Sequence, residues 1–384
     1  MNQSVPSEIL ERIFLHLQPQ DIMACSTVSK RWESILYNKK FWKWAQMTLS
    51  GSTNKTVFAS KRLKIISSLS LEGHPKNSLK DIEGLDLLHL APGFTYSEWE
   101  KEWIFRLILN TKKVYVQSLP RQELIEFFTW LSLHHRDKRH KLEDVNISGI
   151  TLQELPGTLI GKGIRTCKRA AIKYCKINSE ICDSMMKELN NTDNTSCLTE
   201  IDISGNCLYN LSQPKILAKL QSVNLRDSKL NTKTIELLLE EIHKCTDTPL
   251  SYLNISGNKL AYVQGRILIE GICKIKTVIL VEGGDCALIH GPRSYQVMRI
   301  FTTIKTSKDI KLQNLSTWTY FKTNSTTIVN SKLRRLTLFF PGCKDRNTLP
   351  PIPDKIATEF LDGARSCRCF IYSMYDDKET TCFI

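Results

Sequence analysis

Leu198-Thr199-Glu200-Ile201-Asp202-Ile203-Ser204-Gly205-Asn206-Cys207-Leu208 and Leu250-Ser251-Tyr252-Leu253-Asn254-Ile255-Ser256-Gly257-Asn258-Lys259-Leu260 are two settings of one frame, and that frame decides the fold. Aliphatic residues stand at its first, fourth and sixth places, and Asn stands at the ninth. The fourth and sixth alternate as in a short strand, so both side chains enter the core from the same face. The ninth-place side chain can satisfy backbone groups where the chain turns, and stacked copies then make a ladder. Leu220, Val223, Leu225, Ser228 and Leu230 repeat the frame between the two. Upstream it fits Leu142, Val145, Ile147 and Leu152, then Cys167, Ala170, Ile172, Cys175 and Ile177. Weaker copies start at Thr111 (Val114, Val116, Leu119), Ile275 (Val278, Leu280) and Leu333 (Leu336, Leu338).

The starts at 142, 167, 198, 220, 250 and 275 are separated by 25, 31, 22, 30 and 25 residues. That room predicts one helix per repeat. Asn178-Ser179 ahead of Ile181, Met185 and Leu189 has the cap and spacing of a helix start, as does Asn231-Thr232 ahead of Ile235, Leu238, Leu239 and Ile242. One repeat cannot bury its own apolar face, so the copies must stack into a curved solenoid. The pattern is clearest over 142–285 and degrades over 61–110 and 300–345. Terminal repeats are commonly atypical, so the array is expected to span 61–345.

The first forty-odd residues follow a different rule. Apolar residues at 9, 10, 13, 14 and 17 recur at helical spacing, with Pro6 at a helix entrance. Pro19 and Asp21 mark a second start, and Trp32, Ile35 and Leu36 mark a third. Three short helices have too little interior to hide this many large apolar groups. Some of that surface is expected to belong to a partner.

Val5-Pro6-Ser7-Glu8-Ile9-Leu10, Ile13-Phe14, Leu17, Asp21-Ile22, Val28 and Lys30-Arg31-Trp32 together resemble an F-box, matched in order and spacing over residues 3–46. Val5, Ile22 and Ser29 are mild departures from the family pattern. The repeating frame resembles a leucine-rich-repeat array. The expected fold is therefore α/β: a leucine-rich-repeat solenoid, with short parallel strands and helices on the convex side, preceded by a small three-helix F-box domain. A polar linker is expected over 47–60 and a cap or tail over 346–384.

The resemblance to F-box/leucine-rich-repeat proteins implies a role as well. The F-box would dock on the Skp-family linker of a cullin-RING ubiquitin ligase of the SCF type. The repeats would hold a protein substrate for ubiquitin transfer, while the transfer chemistry stays on other subunits. An alternative is a non-catalytic scaffold or regulator that binds the linker without a cullin. Carried over for linker docking are Pro6, Ile9, Leu10, Ile13, Phe14, Leu17, Ile22, Val28 and Trp32, with Leu10, Ile13 and Trp32 expected in direct contact. Substrate is expected on the concave strand face, where the third, fifth and seventh places point outward. Tyr115, Arg169, Lys173, Asp202, Arg226 and Tyr252 lie there. Arg169, Lys173 and Arg226 could pair with an acidic or phosphorylated segment.

Composition narrows the alternatives. The 384 residues hold enough apolar material for a sizeable core, and no apolar run approaches a membrane span. Thirteen scattered cysteines without a Cys-x-x-Cys pair suit reduced thiols, and hence the cytoplasm, the nucleus or both. The net charge of +14 is spread along the chain, so no dedicated phosphate-binding element is indicated and nucleic acid is not the expected partner. Gly157-Thr158-Leu159-Ile160-Gly161-Lys162-Gly163 fails as a phosphate loop, because Gly163 stands where Ser or Thr must reach the metal. His134-His135-Arg136-Asp137-Lys138-Arg139-His140 lacks a partner cluster for metal. Neither a cofactor nor a metal is expected, and no catalytic constellation is present.

Overall fold

The structure is a computed structural model. It describes residues 5–17, 19–38, 41, 46–50, 67–73, 82, 85–97, 100–133, 141–191, 196–245, 248–258, 260, 263–280, 314–318, 335–340 and 368–373. By its internal packing the chain divides into two compact units, residues 1–150 with 162–170, and residues 151–161 with 171–384.

The first unit opens with three helices, α1 (Ser7–Phe14), α2 (Pro19–Ser26) and α3 (Lys30–Leu36). Leu10, Phe14, Ile22, Leu36 and Phe41 form their core, with Leu17, Cys25, Trp32 and Ile35 packed against it. Ser29 caps α3, its hydroxyl accepting from the Trp32 N–H at 3.1 Å. The Arg31 guanidinium reaches back to the Val5 carbonyl at 2.5 Å and the Ser7 hydroxyl at 3.2 Å, tying the start of α3 to the start of α1.

Five strands of the same unit pair in parallel and in chain order: β1 (Gln46–Ser50), β2 (Ser68–Glu72), β3 (Leu87–Leu90), β4 (Lys113–Val116) and β5 (Asp144–Asn146). Helices α4 (Lys101–Leu109) and α5 (Arg121–Leu133) fill the connections on either side of β4. Side chains alternate as a half-buried strand requires: Lys113 and Tyr115 face out while Val114 and Val116 are buried.

The expected linker over 47–60 is corrected at its start. Residues 46–50 are strand β1, in register with β2 from Gln46 opposite Ser68 to Ser50 opposite Glu72. Residues 51–60 lie outside the described residues. Strands β2 and β3 also carry the frame, as Ile66-x-x-Leu69-x-Leu71 and Leu85-x-x-Leu88-x-Leu90. Neither copy has Asn, Ser or Cys at the ninth place, and that missing mark is why the frame looks degraded there.

After α6 (Gly157–Ile164) and β6 (Arg169–Ala171), the second unit continues with α7 (Ser179–Leu189), β7 (Glu200–Asp202), β8 (Ser222–Asn224), α8 (Thr232–Lys244), β9 (Tyr252–Asn254), α9 (Gly265–Ile272) and β10 (Thr277–Leu280). Strands β11 (Asn314–Trp318), β12 (Arg335–Phe340) and β13 (Arg368–Ser373) follow. From β7 to β13 each strand pairs in parallel with the next. Because β13 is one of them, the stretch expected as a cap or tail contributes a strand of the sheet. The cap helix expected to begin at Ile356 lies outside the described residues.

Asn178 and Asn231 cap their helices as the sequence predicts, accepting from the Ile181 N–H at 2.9 Å and the Thr234 N–H at 2.8 Å. One repeat differs from expectation. The 22-residue interval from 198 to 220 is too short for a full helix and holds a 3-10 turn, Pro214–Lys219. The ninth-place ladder is the main polar element inside the array. Asn206 is buried; its Oδ1 accepts from Cys175 and Ile177 N–H at 3.0 and 3.1 Å, and its Nδ2 donates to the Ile172 and Ile203 carbonyls at 2.8 Å each. Asn258 repeats the arrangement, accepting from Leu230 N–H at 2.9 Å and donating to Leu225 O at 2.8 Å and Ile255 O at 3.0 Å. Each Asn thus satisfies backbone groups of its own turn and of the turn before it.

The rejected phosphate-loop sequence has a packing role. It forms α6, whose glycines let neighbouring helices approach: a Cβ on Gly161 would stand 2.8 Å from the Met185 carbonyl, and one on Gly163 would stand 2.7 Å from the Phe128 ring.

Candidate functional surfaces

The three N-terminal helices sort their apolar residues into two groups. Leu10 is 5% exposed, and Phe14 and Ile22 are buried. The Phe14 ring meets Trp32 edge-on at 5.1 Å and Phe41 at 6.3 Å, so Phe14 is the centre of the domain. Ile9, Ile13 and Val28 stand out at 45%, 50% and 64% exposed. Ile9 and Ile13, four residues apart, share one side of α1, and Val5 is exposed just ahead of the helix. Leu15 and Tyr37 add exposed apolar surface.

Of the nine residues carried over for linker docking, the structure places Pro6, Ile9, Ile13 and Val28 outside, Leu17 and Trp32 at half burial, and Leu10, Phe14 and Ile22 in the core. Ile13 and part of Trp32 are therefore accessible to a partner. Leu10 is corrected to a core residue: at i+4 from Leu10, Phe14 draws that side of α1 inward. The family pattern does not single out Leu15 and Tyr37, and Val5 enters it only as a departure. Core and surface apolar residues look alike until the direction in which α1 faces is known.

In the first unit, Tyr115 is exposed on β4, in register between His89 of β3 and Asn146 of β5. The Ser70 hydroxyl lies 3.2 Å from His89 Nδ1. Arg169 is engaged with the sheet itself. Its Nε and Nη2 donate to the two carboxylate oxygens of Asp144 at 2.5 and 2.9 Å, and Lys113 Nζ approaches the same carboxylate at 3.7 Å. A bidentate pair of this kind holds a guanidinium in one place and neutralises it. An acidic ligand at Arg169 would therefore compete with Asp144.

In the second unit, the fifth-place side chains end the strands. Asp202 Oδ1 accepts from the Ser204 N–H at 3.1 Å and its hydroxyl at 2.6 Å, and Asp202 Oδ2 accepts from Asn224 Nδ2 at 2.9 Å. Asn224 accepts from the Arg226 N–H at 3.1 Å, and Asn254 from the Ser256 N–H and hydroxyl at 3.1 and 2.6 Å. These are Asx turns, repeated from one strand to the next. Asp202 thus serves the array with both oxygens. Tyr252 is half-buried on β9, and its phenol is held above its ordinary pKa by burial, with the charge of Asp202 acting the same way. Lys173 is half-buried, whereas Arg226 is exposed with its Nε on Asp227 Oδ2 at 2.9 Å. Tyr174, Tyr209 and Leu237 are exposed in this unit and were not selected from the sequence.

Among the described residues no helix is long and apolar enough to cross a membrane, and no group of three His, Cys, Asp or Glu could hold a metal ion. The His134–His140 run lies outside the described residues.

The F-box-like family matches residues 3–45. No curated protein matches the chain. Among solved structures, an internalin (inlF) from Listeria monocytogenes str. 4b F2365 is similar at 9% sequence identity and a TM-score of 0.43, covering 97% of this chain and 95% of its own. With its stacked parallel strands and buried asparagine ladder, the chain is an α/β leucine-rich-repeat solenoid joined to an F-box-like domain.

Proposed function

We propose that this chain is the substrate-recognition subunit of an SCF-type cullin-RING ubiquitin ligase in the cytoplasm or nucleus, its F-box-like domain binding a Skp-family linker and its repeats a protein substrate. The observation that carries the reading is the pair Ile9 and Ile13 on α1, exposed with Val5 just ahead of the helix although the domain beneath is closed by Phe14, Trp32 and Phe41. Apolar side chains that a finished core leaves outside stabilise a complex when a partner covers them. Both modules bind proteins rather than transform substrates, so the chemistry of ubiquitin transfer falls to other subunits.

The test is reconstitution. The full chain is co-expressed with a Skp-family linker and a cullin-RING core, and the mixture is resolved by gel filtration. A stable complex containing all components supports the ligase reading. Linker bound without cullin points to the scaffold alternative, and no linker binding overturns the proposal.

A further inference from the structure

The ends of the strands in the second unit carry a row of left-handed residues. At the eighth place of the frame, Gly205 and Gly257 have φ of +70° and +71°, as glycine allows at no steric cost. At the same place Tyr174 and Asp227 have φ of +54° and +52°, and two residues later Lys176 and Lys229 both have +55°. A bulky side chain in this region costs about 1 kcal/mol or more. At the eighth place glycine serves the turn in the neighbouring repeats, so Tyr174 and Asp227 are retained there against a backbone cost, and Lys176 and Lys229 bear the same conformation at the tenth. Strain of that kind points to use of the side chains.

What those side chains present is specific. The Tyr174 ring lies across Gly205, where any Cβ would collide with it, and Tyr174 remains 60% exposed. Tyr209 is 49% exposed, and Lys229 Nζ stands 6.0 Å from the centre of its ring. Adjacent turns are bonded into one row: Tyr174 N–H to Ser204 O at 3.0 Å, Gly205 N–H to Arg226 O at 2.8 Å, Cys207 N–H to Ile177 O at 2.9 Å and Leu208 N–H to Ser228 O at 2.8 Å. Along the seventh, eighth and tenth places from 173 to 229 the charges are Lys173, Lys176, Arg226 and Lys229 against Asp227, four minus one, or +3. Asp227 is paired with Arg226. Among the described residues no carboxylate lies within ion-pair distance of Lys176 or Lys229. On β7, beside this edge, Glu200 and Asp202 have the opposite sign.

We propose that this turn edge docks an extended acidic segment of a protein partner, its carboxylates on Lys176 and Lys229 and its apolar groups on the rings of Tyr174 and Tyr209. An aromatic platform flanked by ammonium groups fits an acidic chain, because the rings give contact area at little entropic cost while the lysines select the charge. Identifying the segment as part of a ubiquitination substrate rests on the adaptor reading, but the binding itself does not.

The test uses the immobilised full chain and a displayed library of random peptides about twelve residues long, with linker binding measured separately on the same protein. Selected peptides are expected to be rich in Asp and Glu. They should bind at least about tenfold more weakly, or about 1.4 kcal/mol, to the double variant Lys176→Gly with Lys229→Gly. That variant suits the left-handed backbone, so its melting temperature should hold or rise while binding falls. A purely structural role for the two lysines would not separate these readouts. Linker affinity should stay unchanged, so failure of this proposal and failure of the adaptor reading are distinguishable. Peptides without acidic residues, no enrichment at all, or equal binding to the variant would each overturn the inference. So would a single-stranded oligonucleotide that binds the edge more tightly than the selected peptides.

Discussion

The F-box-like helices and the repeat array treat the same kind of residue in opposite ways. In the array, leucine and isoleucine at the fourth and sixth places disappear between strands and helices, and Leu253, Ile255, Val223 and Leu225 are fully buried. Each repeat has neighbours to close over it. In the three N-terminal helices, Val5, Ile9, Ile13, Leu15 and Val28 remain outside around a core of five buried residues. A domain this small runs out of interior before it runs out of apolar side chains. In one region the residues hold the fold; in the other a large share of them waits for a partner.

The largest effect should come from breaking the ladder. Asn206→Ala removes both halves of a group that serves four buried backbone atoms, and about 3 kcal/mol or more of array stability should be lost. Urea denaturation followed by circular dichroism measures it, and hydrogen exchange should show the turns around 172–177 and 203–208 opening first. Little change would mean that apolar stacking alone sustains the repeats.

Next comes the centre of the helical domain. Phe14→Ala should destabilise it by about 3 kcal/mol, because the ring is closed in by Trp32 and Phe41. Hydrogen exchange in α1 and α3 should rise while that of β7–β9 stays as it was. An equal rise in both regions would erase the contrast between them.

Gly257→Ala is a smaller perturbation. It places a Cβ at a φ of +71°, against the carboxylate of Asp227, and should lower stability by about 1–2 kcal/mol. Pairing it with Asp227→Ala should recover part of the loss, read as a non-additive thermal shift. Smallest of all is Arg169→Ala. The pair with Asp144 is half-exposed, so about 1 kcal/mol or less is at stake, and the loss should shrink in high salt.

How much of this was legible in the sequence follows from what each element signals. Frames marked by Asn206, Ser228 and Asn258 announce themselves, because the polar residue breaks an otherwise ambiguous apolar pattern. Leu69 and Leu71, or Leu88 and Leu90, have the same spacing without that mark and read as degraded. β1 follows directly on the helical domain and β13 lies where a cap was expected, so position argued against them. On the surfaces, the F-box pattern names the residues but not their direction: Leu10 and Ile13 look equal in sequence, yet one is buried and the other half outside. The fifth-place residues look like free strand-face groups until Asp202, Asn224 and Asn254 are seen ending the strands. The exposed pair Tyr174 and Tyr209 lies in turns, where the apolar frame gives no information.

The most direct test is linker affinity of the full chain carrying Ile9→Asp with Ile13→Asp, measured by calorimetry against a Skp-family linker. Both positions are surface positions, so the melting temperature should be preserved. The account predicts that binding falls at least a hundredfold, about 3 kcal/mol, as when two apolar interface anchors are lost. Binding equal to that of the unmodified chain would show that the exposed side of α1 is not the docking surface, and would contradict the account.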